Sequence, residues 1–107
     1  MLGDAMTVSL LYFDGCPNHE AARELLEALL AEAGWAGNVE RINVGSPEAA
    51  ERLGFRGSPT VLLDGVDPFF QADTPVGLTC RVYWTGDGIQ GVPPTGELRD
   101  AIAAYVS

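Results

Sequence analysis

The stretch LLYFDGCPNH, residues 10–19, decides the fold of this chain. It continues an apolar run that predicts a buried strand from Thr7 to Phe13. Beyond the strand the pattern becomes helical, and Pro17 suits a first helical position. Cys16 therefore stands where a strand gives way to a helix. Because a helix N-terminus favours negative charge, a thiolate is stabilised at such a position.

The helix is predicted from Pro17 to about Ala33, because apolar residues recur at three-and-four spacing along one face. That face is formed by Ala22, Leu25, Leu26, Leu29, Leu30 and Ala33. Gly34 and Gly37 end the helix.

The later elements are shorter. We predict a strand at Val39 to Val44, a helix from Ser46-Pro47-Glu48 to Gly54, a strand at Thr60 to Leu63, a hairpin of Arg81 to Thr85 with Ile89 to Val92 around Gly86-Asp87-Gly88, and a helix capped by Thr95. Residues 66–79 are predicted to be a long loop. The whole chain, 1–107, is thus one α/β domain in which a central mixed sheet is flanked by helices.

The charge balance argues against several classes of function. The chain has 15 acidic residues and only 6 basic ones, all arginines, and its net charge is −9. Such a chain repels phosphate backbones and anionic membrane surfaces, so neither nucleic acid nor a membrane is an expected partner. The missing lysine removes Schiff-base chemistry and a Walker-type phosphate site. We expect no bound cofactor.

The N-terminal residues Met1 to Asp4 show no basic region followed by an apolar stretch, and no apolar run reaches the length of a membrane span. We therefore expect a cytoplasmic protein, where cysteines are kept reduced. The two cysteines, Cys16 and Cys80, are then expected to be reactive or simply buried rather than to form a permanent disulfide.

The order of these elements, with a cysteine leading the first helix, resembles the thioredoxin-like fold. Two segments carry the resemblance. Residues 13–19, FDGCPNH, are similar to the redox loop of that family, and residues 54–60, GFRGSPT, are similar to the loop that leads into its cis-proline. More narrowly, the chain resembles small bacterial thioredoxin-like proteins that also carry a later Gly-Leu-x-Cys-Arg segment, here residues 77–81. Some of these are labelled alkylmercury lyases.

The resemblance implies that Cys16 is the reactive nucleophile and that the Ser58–Pro59 bond is cis. It also implies that the loop before Pro59 lies against Cys16, so that the Ser58 backbone is free to pair with an extended substrate or a bound thiol. Ser58, Pro59 and Thr60 are therefore the expected substrate-binding residues. The alternative for Cys16 is an inert, small buried side chain. Asp14 opposes a thiolate unless it is turned away or accepts the proton.

His19 stands where a two-thiol motif would carry its second sulfur, one helical turn after Cys16. It adjoins the apolar face of the helix, which indicates that it leans toward the core. There the imidazole would serve as a base or a hydrogen-bond acceptor toward the thiol. The alternative is a capping or core histidine whose hydrogen bond is satisfied.

Cys80 is a candidate resolving thiol for a reversible disulfide with Cys16, with Arg81 favouring its ionised form. Topology argues against this pairing. If residues 80–84 pair antiparallel with the strand that begins at Thr60, Cys80 lies at the end remote from Cys16. Only a fold-back of residues 66–79, or a different register, brings the two thiols together.

Three functions follow from these residues. The first is a thiol–disulfide oxidoreductase or redox-responsive protein whose partners are protein or low-molecular-weight thiols. The second is a soft-metal or organomercurial binder in which Cys16, His19 and Cys80, with Asp14, would hold zinc, copper(I) or mercury(II), although no Cys-x-x-Cys pair is present. The third is a non-catalytic interaction module that uses the loop around Phe69 and Phe70.

Overall fold

The computed structural model describes residues 6–71, 74–86 and 88–106. The elements are, in chain order, β1 (Val8–Tyr12), α1 (His19–Glu32), β2 (Glu40–Asn43), α2 (Pro47–Leu53), β3 (Thr60–Leu63), β4 (Tyr83–Thr85), β5 (Gly88–Gln90) and α3 (Thr95–Val106). The predicted α/β class is confirmed. None of these helices is both long enough and apolar enough to cross a membrane.

The sheet is mixed and has three strands in the order β2-β1-β3. β1 pairs parallel with β2, with Leu10 opposite Arg41, and antiparallel with β3, with Leu10 opposite Val61. A central strand is covered on both faces, which explains its nearly continuous apolar sequence. Because successive side chains point to opposite faces, Val8 and Leu10 enter one apolar cluster and Leu11 enters another.

The two clusters place helices on both faces of the sheet. The larger one joins β1 and β3 to α1 and α3, as the buried Leu26, Leu98 and Ile102 show. The smaller one joins Leu11 to Ala50 of α2 and to Phe55. The apolar face predicted for the first helix is therefore the face that it buries.

Helix α1 begins at His19, two residues later than predicted. The amide of Cys16 donates to the carbonyl of Phe13 at 3.1 Å and closes a turn before the helix. The amide of Ala22 is bonded to the carbonyl of Asn18, which is the N-cap residue. Pro17 consequently lies in the turn region and is not the first helical residue. Cys16 precedes the helix by three residues.

The chain folds back after β3. Leu63 and Val66 exchange backbone hydrogen bonds around Asp64 and Gly65, whose φ angles are 53° and 81°. A glycine suits the second of these positions, because positive φ strains other residues. The returning chain then runs to Gly77, whose amide donates to the carbonyl of Phe55 at 3.0 Å.

This fold-back overturns the predicted pairing of residues 80–84 with the strand at Thr60. β4 forms its ladder with β5, giving a two-stranded hairpin separate from the main sheet. The hairpin is shorter than predicted, and Asp87 of its turn lies outside the described residues, as do Met1 to Asp4. Residues 66–71 and 74–79 therefore act as a return segment that reverses the chain toward the start of β3.

Arg81 holds the return segment in place. Its guanidinium pairs with Asp67 at 2.7 Å, and the two side chains are only 4% and 13% exposed. The same group donates to the hydroxyl of Thr60 at 3.2 Å and to the carbonyl of Phe69. Gly57 makes the close approach possible. Its φ is 124°, and a Cβ there would lie 2.9 Å from the Cβ of Arg81.

Candidate functional site

Cys16 is buried at the end of the turn that precedes α1. Only 1% of its surface is exposed. Its thiol donates to the carbonyl of Ser58 at 3.4 Å, a contact between residues 42 positions apart in the chain. The loop before Pro59 therefore lies against Cys16, in the arrangement that the resemblance implied.

Cys80 also lies against Ser58. The amide of Ser58 donates to the carbonyl of Thr79 at 2.8 Å, and the amide of Arg81 donates to the carbonyl of Ser58 at 2.8 Å. These two bonds form a parallel bridge between Ser58 and Cys80. The fold-back thus brings Cys80 beside Cys16, and the argument from topology that kept the two apart was wrong.

The two thiols interact. The pKa of Cys80 is raised above the usual value of a thiol. The largest cause is a side-chain hydrogen bond with Cys16, followed by desolvation and by the negative charge that Cys16 carries when ionised. Both side chains are free thiols, with Cys16 buried and Cys80 exposed. The proton of Cys80 is therefore harder to remove while Cys16 is beside it.

The sequence suggested that Arg81 favours the ionised form of Cys80. The structure gives Arg81 other partners, and it is not among the groups that shift the pKa of Cys80. Its guanidinium is engaged with Asp67, Thr60 and Phe69, and it lies 4.7 Å from the ring centroid of Tyr83. The role of Arg81 is structural. The sequence did not indicate that Asp67 pairs with Arg81, because an Asp-Pro pair is typical of a turn.

The three residues expected to bind substrate, Ser58, Pro59 and Thr60, form hydrogen bonds within the protein. The Ser58–Pro59 bond is cis, the isomer predicted from the resemblance. Both backbone groups of Ser58 are used by the segment 79–81, so they are not free for a substrate. The carbonyl of Pro59 accepts from the hydroxyl of Tyr83, and the hydroxyl of Thr60 donates to the carbonyl of Gly57 at 2.6 Å.

Two polar groups stand out beside these contacts. The hydroxyl of Ser58 is buried and has no hydrogen-bond partner. Burial raises the pKa of Tyr83 well above its usual range, so the phenol stays protonated and can donate to Pro59. Tyr83 is a positioning residue that the sequence analysis missed. No sequence signal marks it, because in the alternation of residues 81–84 the buried neighbour is Arg81 while the exposed residues are Val82 and Trp84.

His19 is the first residue of α1 and forms its contacts away from the two thiols. Its ring stacks on Tyr12, with centroids 4.5 Å apart and planes 26° apart. Its Nδ1 is buried without a hydrogen-bond partner and lies 3.9 Å from a carboxylate oxygen of Glu20. No hydrogen bond joins the imidazole to Cys16 in the part of the chain that the structure describes.

The described residues do not form the metal site considered from the sequence. Asp14 accepts a hydrogen bond from the side-chain amide of Asn43 at 3.3 Å. Within residues 6–71, 74–86 and 88–106, no group of three His, Cys, Asp or Glu side chains could hold a metal ion. Two cavities, of about 350 and 180 Å³, are lined by other residues and include neither cysteine.

The site is therefore a pair of thiols that both lie against Ser58, with one thiol buried and the other exposed. A scan against protein-family models finds no match to this chain, and a search of curated proteins also finds none.

Proposed function

We propose that this chain is a thioredoxin-like protein that exchanges thiols and disulfides through a reversible bond between Cys16 and Cys80. The observation that carries the proposal is the contact of both cysteines with Ser58, which brings their side chains close enough for Cys16 to raise the pKa of Cys80. An internal disulfide can form only where two sulfurs can approach each other directly.

The fold gives further support. Helices cover both faces of a sheet in which β1 leads to Cys16, and a cis-proline loop lies against that cysteine. This arrangement agrees with the thioredoxin-like resemblance of residues 13–19 and 54–60. A fold hosts many functions, so the thiol pair and not the fold is the basis of the proposal.

The chemistry balances with one partner disulfide. The two protein thiols lose two electrons and two protons and become a disulfide, while the partner gains them and becomes two thiols. The exchange passes through a mixed disulfide between one of the two cysteines and the partner, and the thiolate of the other cysteine then attacks that cysteine's sulfur and displaces the partner as a thiolate. Running in reverse, the protein disulfide oxidises a partner dithiol. Protein or low-molecular-weight thiols are the partner classes.

Redox titration tests the proposal. The reduced chain is equilibrated in dithiothreitol buffers of stepped potential, remaining thiols are alkylated, and intact mass counts them. We expect one two-electron transition in which both thiols disappear together, and Cys16→Ser and Cys80→Ser should each abolish it. Two thiols that remain alkylatable in oxidising buffer, with no internal disulfide, would contradict the proposal.

The same pair favours a second candidate function, the binding of a soft metal ion. Two neighbouring thiolates suit mercury(II) or copper(I), which prefer sulfur ligands. Titration of the reduced chain with mercury(II) should protect both thiols at one equivalent if this function is correct. Protection of only one thiol per ion would argue against a shared site.

A further inference from the structure

Only one of the two cysteines is accessible to a partner. A sulfur that exchanges with another molecule must be open to attack along its bond axis. Cys16 is 1% exposed, and its thiol faces the carbonyl of Ser58. Cys80 is exposed at the surface. A first covalent contact with another molecule therefore favours Cys80.

Cys80 continues into an apolar surface. Along residues 80–84 the exposed side chains are Cys80, Val82 and Trp84, whereas Arg81 and Tyr83 are buried. Trp84 lies opposite Ile89 in the ladder of β4 and β5, so both side chains are on one face. We call Val82, Trp84 and Ile89 the outward face.

The outward face lies outside both apolar clusters. Val82, Trp84 and Ile89 are 49%, 65% and 54% exposed, and none of them belongs to either apolar cluster. Single exposed apolar residues are common, but three that share a face beside an exposed thiol form a contiguous patch. Burying it against a partner would release water from a tryptophan, which is often an anchor residue in interfaces.

Charge decides between possible occupants. The chain has a net charge of −9, so a second copy of it or an acidic thiol such as glutathione is repelled. Glutathione is also too polar to cover Val82, Trp84 and Ile89. A neutral or basic polypeptide with apolar side chains beside its cysteine satisfies both the charge and the outward face.

We infer that Cys80 forms the mixed disulfide with the partner, and that the partner is an apolar, neutral or basic polypeptide segment that docks on the outward face. This inference rests on the proposed exchange function. It assigns Cys16, the cysteine of the redox-like loop, to the second step.

Each step balances for a partner disulfide. The Cys80 thiolate attacks one partner sulfur, the partner S–S bond breaks, and the departing thiolate takes a proton from water. The Cys16 thiolate, having released its proton to solvent, then attacks the Cys80 sulfur. This forms the Cys16–Cys80 bond, breaks the bond to the partner and releases the partner as a second thiolate, which is protonated.

Trapping with peptide probes tests the assignment. The probes are a neutral peptide with leucine and phenylalanine beside its cysteine and an acidic peptide with glutamates there, each activated as a thiopyridine mixed disulfide. In Cys16→Ser the neutral peptide should accumulate on Cys80, identified by mass of the digested protein. In Cys80→Ser, where only Cys16 remains, trapping should be at least about tenfold slower.

The outward face is tested in the Cys16→Ser background. Adding Trp84→Ser or Ile89→Ser should slow trapping of the neutral peptide about tenfold, because apolar contact area is lost. Neither change should alter the rate with hydroxyethyl disulfide, which reports intrinsic thiol reactivity. Leu53→Ser is the matched control, since Leu53 is 41% exposed on α2 and lies outside the outward face.

The outcomes separate the two proposals. Trapping on Cys16 but not on Cys80 would overturn the assignment, even if the redox titration still shows an internal disulfide. Equal trapping of the neutral and acidic peptides, or no effect of Trp84→Ser and Ile89→Ser, would overturn the docking surface. Failure of the exchange function would show instead as the absence of the two-electron transition.

Discussion

Two regions of the molecule each position one thiol, and they do so by different means. The turn of residues 13–16 positions Cys16 through a backbone bond between near neighbours and through the strand that precedes it. The return segment positions Cys80 through contacts between distant residues, centred on the buried pair of Arg81 with Asp67. The backbone at Cys16 is therefore fixed by local structure, whereas the segment that carries Cys80 is held by distant partners, namely the backbone of Ser58 and the Asp67 carboxylate that binds Arg81. The thiol pair should be separable without removing either sulfur.

The largest effect is expected from Arg81→Met. It leaves the carboxylate of Asp67 largely buried without its partner, which should lower the free energy of unfolding by about 3–5 kcal/mol. Urea denaturation measures the change. Arg99→Met is the matched control, because Arg99 pairs with Glu32 at the surface and its loss should change stability little.

Asp67→Asn sharpens the same comparison if the methionine variant fails to fold. It removes the charge while keeping the shape and a hydrogen-bonding group. In the folded variant, the reduction potential of the Cys16–Cys80 disulfide should be less negative than in the native chain, because Cys80 is held less firmly beside Cys16. An unchanged potential would show that the ion pair does not position Cys80.

A smaller effect is expected on the acidity of Cys80 when Cys16 is replaced by alanine. The pKa of Cys80 is raised by the hydrogen bond with Cys16, by burial and by the charge of Cys16. The first and third causes vanish with the replacement, so the pKa should fall toward its ordinary value. At about pH 8 a larger fraction of Cys80 is then thiolate, and iodoacetamide should modify it faster.

The measurement is the rate of Cys80 alkylation across a pH series, followed by mass spectrometry. The midpoint should lie at lower pH in Cys16→Ala than in the native chain. His19→Ala serves as the control, because His19 is hydrogen-bonded to neither thiol. A midpoint that stays in place after Cys16 is removed would show that the two side chains do not interact.

The smallest effect is expected from His19→Ala itself. The ring stacks on Tyr12, so its loss should lower the free energy of unfolding by about 1 kcal/mol. Because no hydrogen bond joins the imidazole to Cys16, the rate of internal disulfide formation should change by less than about twofold. A loss of about tenfold or more would restore His19 to the catalytic role predicted from the sequence.

The sequence was sufficient where structure is determined locally. β1, β3 and α1 were predicted because apolar periodicity is set within each element. The start of α1 was displaced because a single backbone bond, from Cys16 to Phe13, closes a turn first. Periodicity carries no information about such a bond.

The sequence was insufficient where position depends on distant partners. Nothing in the pattern of residues 66–79 distinguishes a loop that crosses the sheet edge from one that folds back. The choice is made by Arg81, whose partner Asp67 lies 14 residues earlier in the chain. Neither the neighbourhood of Cys80 nor the engagement of the Ser58 backbone could therefore be predicted.

The bonds of Ser58 have a consequence for the oxidised state. This residue has one amide and one carbonyl, and the segment 79–81 occupies both. A foreign strand can pair with Ser58 only by displacing that segment, and a bond between Cys16 and Cys80 would tether it covalently. Oxidation would then do more than store two electrons, because it would also close the edge at Ser58 to any competing chain.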